Sequence, residues 1–304
     1  MKLQRLCILG CGEVGRTLAE DLLNNSDYAL QLWDQQFAEA NSAAMANARS
    51  LSQPTRVVLA TSAAEAAQGC QLVLSAVTAD QAVTAAQSIL PGLAKQSWFV
   101  DLNSVSPVTK QQLYHLLEQA GGRLVEAAIM SPIFPQRSAS QILLAGPYAE
   151  AFVTIGRTLG FSDLQVVSES LGIAAATKMC RSVIIKGMEA LVTESLLAAR
   201  YYGVDATVLE SLNNLFPRPD WPQHAQYLIS RSLQHGGRRA AEMREASKTV
   251  REAGLYPWMS EGCVERQQWA AQFNALLGEQ SLGELLDALQ SKLDPHVSQK
   301  LPKQ

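Results

Sequence analysis

At 304 residues the chain is longer than one ordinary core needs and suits two domains. Hydrophobic residues make up 47% and charged residues 17%, which excludes a disordered chain. A formal net charge of −3 without a basic run sets aside nucleic acid and membrane as partners.

The first segment, Met1 to Gly10, holds a short apolar run that stops after Leu9. It is far too short to span a membrane, no small-residue cleavage site follows, and it reads as a buried strand. The runs Leu6–Leu9, Ala29–Trp33, Arg56–Ala60, Leu72–Val77, Trp98–Leu102, Leu124–Ala127, Ile142–Leu144 and Leu164–Val167 alternate with helical stretches. That alternation predicts an α/β fold, a doubly wound and mainly parallel Rossmann sheet with helices on both faces. After Ser168 the strands stop. Residues 169–202 contain no proline, are interrupted only by Gly172 and Gly187, and predict one long helix, buried on several sides because apolar residues surround most of it. Helices are predicted over Asp205–Leu215, Pro222–Gln234, Arg238–Ala253, Pro257–Leu277 and Leu282–Leu293, then a polar tail from Asp294. The expected division is a dinucleotide-binding domain, 1–167, and an all-helical substrate and dimerisation domain, 168–304, joined by the long helix.

Cys7, Cys11, Cys70, Cys180 and Cys263 show no C-x-x-C spacing and read as reduced thiols. His115, His224, His235 and His296 make no metal-ligand pattern with them, so no metal is expected. A cytoplasmic protein is the expectation.

The chemistry begins at Gly10-Cys11-Gly12-Glu13-Val14-Gly15, a G-x-G-x-x-G that follows a strand and opens a helix with Val14, Leu18 and Leu22 on one face. Gly10 permits the tight turn, Gly12 lets backbone approach a pyrophosphate, and Gly15 allows close packing of helix on strand. Asp34 ends the next strand, 24 positions after Gly10, at the spacing of a ribose contact. A carboxylate there accepts from both ribose hydroxyls and repels a 2′-phosphate, which favours NAD over NADP. Val77 and Thr78 follow the fourth strand, where ligands of such sheets bind.

Three further stretches resemble the β-hydroxyacid dehydrogenase superfamily, which includes 3-hydroxyisobutyrate and 6-phosphogluconate dehydrogenases. Asp101-Leu102-Asn103-Ser104-Val105-Ser106-Pro107 is similar to D-x-S-T-x-x-P. Glu126-Ala127-Ala128-Ile129-Met130-Ser131-Pro132 is similar to the substrate loop D-A-P-V-S-G-G. Gly172 to Lys178 is similar to G-x-G-x-x-x-K. The chain resembles in particular a branch whose C-terminal domain is similar to, but shorter than, that of phosphogluconate dehydrogenase. The resemblance implies Lys178 as general acid/base, Asn103 beside the cofactor, and Ser104, Met130, Ser131, Arg181 and Ser182 against a small hydroxyacid or related alcohol. A lysine serves this role near neutral pH when burial or a nearby charge lowers its pKa. An apolar helix as long as that over 169–202 seldom satisfies all its faces within one small domain and predicts a homodimer through the helical domain, and the resemblance implies dimers or tetramers.

The chain departs from that pattern. Arg181 and Ser182 stand where the family has asparagine, Ser131-Pro132 replaces two glycines, and Ala241-Glu242 replaces a lysine–aspartate pair. These changes point to related chemistry on a different substrate. Arg181 is placed either to bind a carboxylate or phosphate or to make an interface ion pair. Lys186 is expected to face a partner subunit, Glu189 and Glu194 to be structural as readily as functional, and Glu242, Arg244 and Glu245 to form a solvated face. Arg238 or Arg239 is the candidate exception, placed to reach a substrate. Residues 216–222, Phe-Pro-Arg-Pro-Asp-Trp-Pro, read as a helix connector. The alternatives are an imine reductase, against which Lys178 argues because those enzymes typically carry aspartate or tyrosine there, and a non-catalytic NAD sensor.

Overall fold

The structure is a computed structural model that describes residues 3–51, 55–212, 220–252, 254, 256–278 and 281–293. The polar tail and most of the 216–222 connector lie outside the described residues. The chain divides into two compact units, Met1–Cys180 and Arg181–Gln304. No described helix is long and apolar enough to cross a membrane.

The first unit is built on eight strands: β1 (Arg5–Leu9), β2 (Ala29–Trp33), β3 (Val57–Leu59), β4 (Leu72–Ser75), β5 (Trp98–Asp101), β6 (Arg123–Ile129), β7 (Ile142–Ala145) and β8 (Leu164–Ser168). Their order is β3-β2-β1-β4-β5-β6-β7-β8, and every pairing is parallel except β6 with β7. The eight expected strands are all present. Alternate residues feed two cores, which is why the strands read as continuous apolar runs. Leu6 and Ile8 of β1 pack towards helices α1 (Glu13–Asn25), α2 (Ala43–Ser50) and α6 (Ala149–Thr158). Cys7 and Leu9 pack on the other side with α3 (Ala63–Ala67), α4 (Ala82–Ile89) and α5 (Pro107–Gln119). The order reverses between β1 and β4, and loops leaving the carboxyl ends of those strands border the crevice where ligands of such sheets bind.

Helix α7 spans Ile173–Tyr201, shorter at its start than the expected 169–202. Strand β8 runs to Ser168, and Gly172 adopts φ +95°, a left-handed conformation that breaks any helix through it. The second unit contains α8 (Asp205–Leu212), α9 (Trp221–Glu252), α10 (Trp258–Ala270) with 3-10 turns over Ala271–Leu276, and α11 (Leu282–Gln290). Helix α11 opens on a capping box of Ser281 and Glu284. The expected break at Gly236-Gly237 is absent: α9 is one helix of 32 residues. A Cβ on Gly236 would lie 2.3 Å from the Gln267 carbonyl oxygen, so this glycine lets α10 close on α9 and does not end a helix.

Helix α7 was expected to be buried on several sides, and it leaves one apolar side open. Within the second unit, Ile184 is 64% and Leu191 51% exposed, with Ile185 and Met188 beside them. Ser182, Glu189 and Thr193 are buried instead. Glu189 pairs with buried Arg239, and Lys186 Nζ lies 2.7 Å from Glu242, which also meets Arg238 at 3.2 Å. Glu245 is buried too. Of the expected solvated face, Glu242 and Glu245 are drawn inward, Glu242 onto Lys186, while Arg244, Arg238 and Lys248 stay exposed. Burial pushes the Lys186 pKa down against the pull of Glu242, and lowers that of Arg239 to about 10.

On α9, Arg231 lies 2.8 Å from the His235 ring. Burial, with Arg231 and Arg238 close by, lowers the His235 pKa from 6.5 to about 4. Between those values the folded chain binds fewer protons than the unfolded one. Stability therefore falls as pH drops through that window. Thermal melts of His235→Gln are expected to show a flatter acid limb, and a profile identical to wild type would remove His235 from that account.

Candidate active site

The glycine turn after β1 is forced by contact. Gly10 has φ +90°, and a Cβ on it would lie 2.3 Å from the Ala76 carbonyl oxygen and 3.0 Å from Val77 N. A Cβ on Gly15 would lie 1.8 Å from the Gly10 carbonyl oxygen. Gly12 is different: a Cβ there would meet nothing within 4 Å. Gly12 is the N-cap of α1, and no side chain caps the first-turn amides. Glu13 is exposed and Val14 half-buried in that turn. Open space over uncapped amides at the positive end of a helix fits the pyrophosphate of a dinucleotide.

Asp34 joins this turn directly. Its carboxylate accepts from Cys11 N at 2.8 Å and from Gln36 N at 2.9 Å, so its oxygens are fixed beside the fingerprint while keeping further lone pairs. Asn47 Nδ2 donates to the Cys11 carbonyl at 2.9 Å. The Cys11 thiol is buried, which with the Asp34 charge pushes its pKa up to about 12 and leaves it a neutral space-filler.

At the ends of β4 and β5 lies a buried network that sequence reasoning missed. Lys110 of α5 donates from Nζ to the Asp101 carbonyl at 2.9 Å and to its Oδ2 at 2.6 Å. Asn103 Nδ2 donates to Asp101 Oδ1 at 2.5 Å and to Ser75 Oγ at 2.9 Å, and Asn103 Oδ1 accepts from Val77 N at 2.8 Å. Asn103 is buried and its amide is occupied within the chain. Thr78 is exposed, with no side-chain capping bond to the following turn, and Ser104 is half-buried.

The three resembling stretches meet at the start of α7. Buried Glu126 of β6 accepts from Gly172 N at 2.5 Å and Ala175 N at 2.6 Å, satisfying amides that the helix leaves open. A Cβ on Gly172 would lie 2.9 Å from Pro107 Cβ. Met130 packs in the cluster that contains Ala174. Ser131 Oγ is buried without a hydrogen-bond partner, which leaves a donor and acceptor for a bound polar group. Lys178 is half-buried one and a half turns into α7, followed by buried Met179. The loop after Ser131 is tied to α1, because Arg137 donates to Asp21 at 2.7 Å and to Glu20 at 2.7 Å, and Ser138 N donates to Asp21. Glu126 was legible as part of a motif but not as a helix cap. No local signal marks Arg137 or Lys110, whose partners are distant in sequence or hidden by burial.

Further along α7, Arg181 is exposed and makes no hydrogen bond or ion pair among the described residues. Ser182 is buried and accepts from Lys186 Nζ at 3.3 Å, so its hydroxyl is turned to its own helix.

These features define a dinucleotide-binding Rossmann unit followed by a helical unit. Residues 5–159 match the family described as the NAD binding domain of 6-phosphogluconate dehydrogenase, and residues 199–270 match a domain of unknown function, DUF1932. The chain belongs to this NAD-binding family, within the β-hydroxyacid dehydrogenase superfamily. A conserved hypothetical protein of Sinorhizobium meliloti is 32% identical over 96% of this chain and 97% of its own, with a TM-score of 0.71. The mitochondrial 3-hydroxyisobutyrate dehydrogenase of Bos taurus is 22% identical over 70% of this chain, and the match covers less than two-thirds of that enzyme, 62%. The 3-hydroxyisobutyrate dehydrogenase of Mycobacterium tuberculosis, solved with L-serine, shares the fold at 14% identity, covers 95% of this chain and 100% of its own, and has a TM-score of 0.67.

Proposed function

We propose that the chain is a NAD-dependent dehydrogenase of small hydroxyacids or related alcohols, with Lys178 as general acid/base. The observation that carries this reading is the convergence of the Asp101–Pro107, Glu126–Pro132 and Gly172–Lys178 stretches, linked by the Glu126 cap and the Gly172–Pro107 contact. The amides after Gly12 hold the pyrophosphate, Asp34 the ribose, and Thr78 the nicotinamide side. The nicotinamide cofactor, when bound, supplies hydride acceptor or donor chemistry. Lys178 Nζ, as the neutral amine, takes the hydroxyl proton in oxidation and returns it in reduction. Ser131 and exposed Arg181 orient the substrate, Arg181 through a carboxylate. The domains proposed are 1–167 for the cofactor, with Ser131 lent to the substrate, and 168–304 for the substrate and the dimer. The exposed apolar row Ile184, Met188 and Leu191, spaced along one side of α7, supports a second copy as its cover and a homodimer as the working form, which we place in the cytoplasm.

The test is to mix the chain with NAD and a panel of hydroxyacids and follow reduced nicotinamide by absorbance. Oxidation of a hydroxyacid is expected. NADH oxidation by imines alone reassigns the substrate class, and inertness to both with NADH still bound leaves a sensor. The cofactor preference rests on Asp34. Asp34→Asn is expected to weaken NAD binding roughly 10- to 100-fold, the scale of one charged hydrogen bond, and to raise the NADP to NAD ratio of kcat/KM. A ratio that stays put would detach Asp34 from the choice.

A further inference from the structure

The ion pair of Lys110 and Asp101 has side chains only 1% and 0% exposed. Pairs this deeply buried contribute little net stability compared with apolar side chains of the same shape, so their worth lies in what they orient. Here they orient an amide. An asparagine side chain can present oxygen or nitrogen in either direction. The carboxylate oxygens of Asp101, one paired with Lys110 Nζ, are acceptors, and so Oδ1 takes the Asn103 NH2. Asn103 Oδ1 is thereby turned to the Val77 amide. That amide is the same atom that stands 3.0 Å from where a Cβ on Gly10 would be. Val77 is therefore part of the wall against which the glycine turn is built, and Thr78 follows it.

We propose that Lys110 and Asp101 are positioning residues that set the Val77–Thr78 wall of the cofactor turn through Asn103. This rests on the nicotinamide-cofactor reading above. None of the three side chains needs to touch the cofactor: Lys110, Asp101 and Asn103 are all buried, and each spends its polar atoms on the next link. The link runs from the second turn of α5 through the end of β5 to the loop after β4. It ties three elements at the crevice into one arrangement.

The test uses the full chain and a double variant, Lys110→Met with Asp101→Leu, which leaves no lone buried charge. NADH titration by fluorescence is expected to show a dissociation constant raised about tenfold or more, with the cofactor KM rising in parallel and kcat within about threefold of wild type. Without cofactor, hydrogen exchange at the Val77 amide is expected to speed up about tenfold while Leu6–Leu9 amides of the central strand keep their protection. Asn103→Ala, which retains the ion pair and cuts only the last link, is expected to reproduce both effects and serves if the double variant does not fold. A merely structural pair would lower Tm and leave NADH affinity and Val77 exchange at wild-type values, and that result overturns the proposal. A wild-type chain that binds NADH with variants that bind it equally well removes this inference alone. A wild-type chain that binds no NADH removes the functional reading and this inference together.

Discussion

Replacing Lys178 with alanine is expected to lower turnover between about 10²- and 10⁴-fold, the range that a positioned proton donor or acceptor supplies. That loss corresponds to roughly 3–5 kcal/mol of transition-state stabilisation. NADH affinity is expected to stay within about threefold, because the residues assigned to the dinucleotide lie on the loops after β1, β2 and β4. The position of Lys178 depends on a cap rather than on its own neighbours in sequence. Glu126 fixes the first amides of α7, and the lysine follows at a set rotation. Steady-state turnover beside a cofactor titration separates the two effects. Full turnover in the alanine variant would take the acid/base role from Lys178, and joint loss of turnover and binding would show a wider structural failure.

The second large effect is expected at Gly15. One added methyl group would lie 1.8 Å from the Gly10 carbonyl oxygen, a separation no side chain tolerates. Neither partner can yield cheaply. Gly10 is pinned by its amide, which donates to Trp33 at 2.9 Å, and by the neighbouring Ala76 carbonyl. Gly15 sits where α1 packs on β1. Gly15→Ala is expected to cost about 3 kcal/mol or more, at the upper end for overpacked sites, and to abolish measurable NADH binding. Thermal melts and NADH fluorescence read the two parts. The control is Gly12→Ala, whose methyl group enters open space: it is expected to leave Tm near wild type while still obstructing the pyrophosphate. Equal stability losses at the two positions would contradict this picture of the turn.

Much of the first unit was legible in the sequence because its strands are buried on both faces. Leu6, Cys7, Ile8 and Leu9 are all wholly inside, so their unbroken apolar run could only be a covered strand. The fingerprint was legible because Gly10 and Gly15 answer to close contacts that any other residue would violate. The second unit was harder to read. Gly236-Gly237 looks like a helix break, yet Gly236 serves the approach of α10, a partner far along the chain. The apolar girth of α7 suggested burial on several sides without saying which. In fact Glu189 and Thr193 turn inward, to Arg239 and to a helical carbonyl, while Ile184 and Leu191 turn out. Hydrophobic pattern alone cannot tell which face of such a helix is inside when the inner face carries compensated charge.

The candidate site shows the same division. Residues whose place follows from local geometry, such as Gly10 at the turn and Gly15 where α1 meets β1, could be placed in advance. Residues whose role is set by a distant partner could not. Lys110 reads as an ordinary helix-surface lysine until β5 sets Asp101 beneath it. Arg137 reads as a loop cation until α1 presents Glu20 and Asp21. Asn103 was expected beside the cofactor from its motif, but its bond to the Val77 amide, 26 residues away, could not be read from the sequence.

The most direct test is a crystal structure of the chain with NADH. The account predicts the pyrophosphate against the amides that follow Gly12, the adenosine ribose on the Asp34 carboxylate, and the nicotinamide ring facing Lys178 Nζ. A dinucleotide bound away from the glycine turn, or a nicotinamide ring directed away from Lys178, would contradict it.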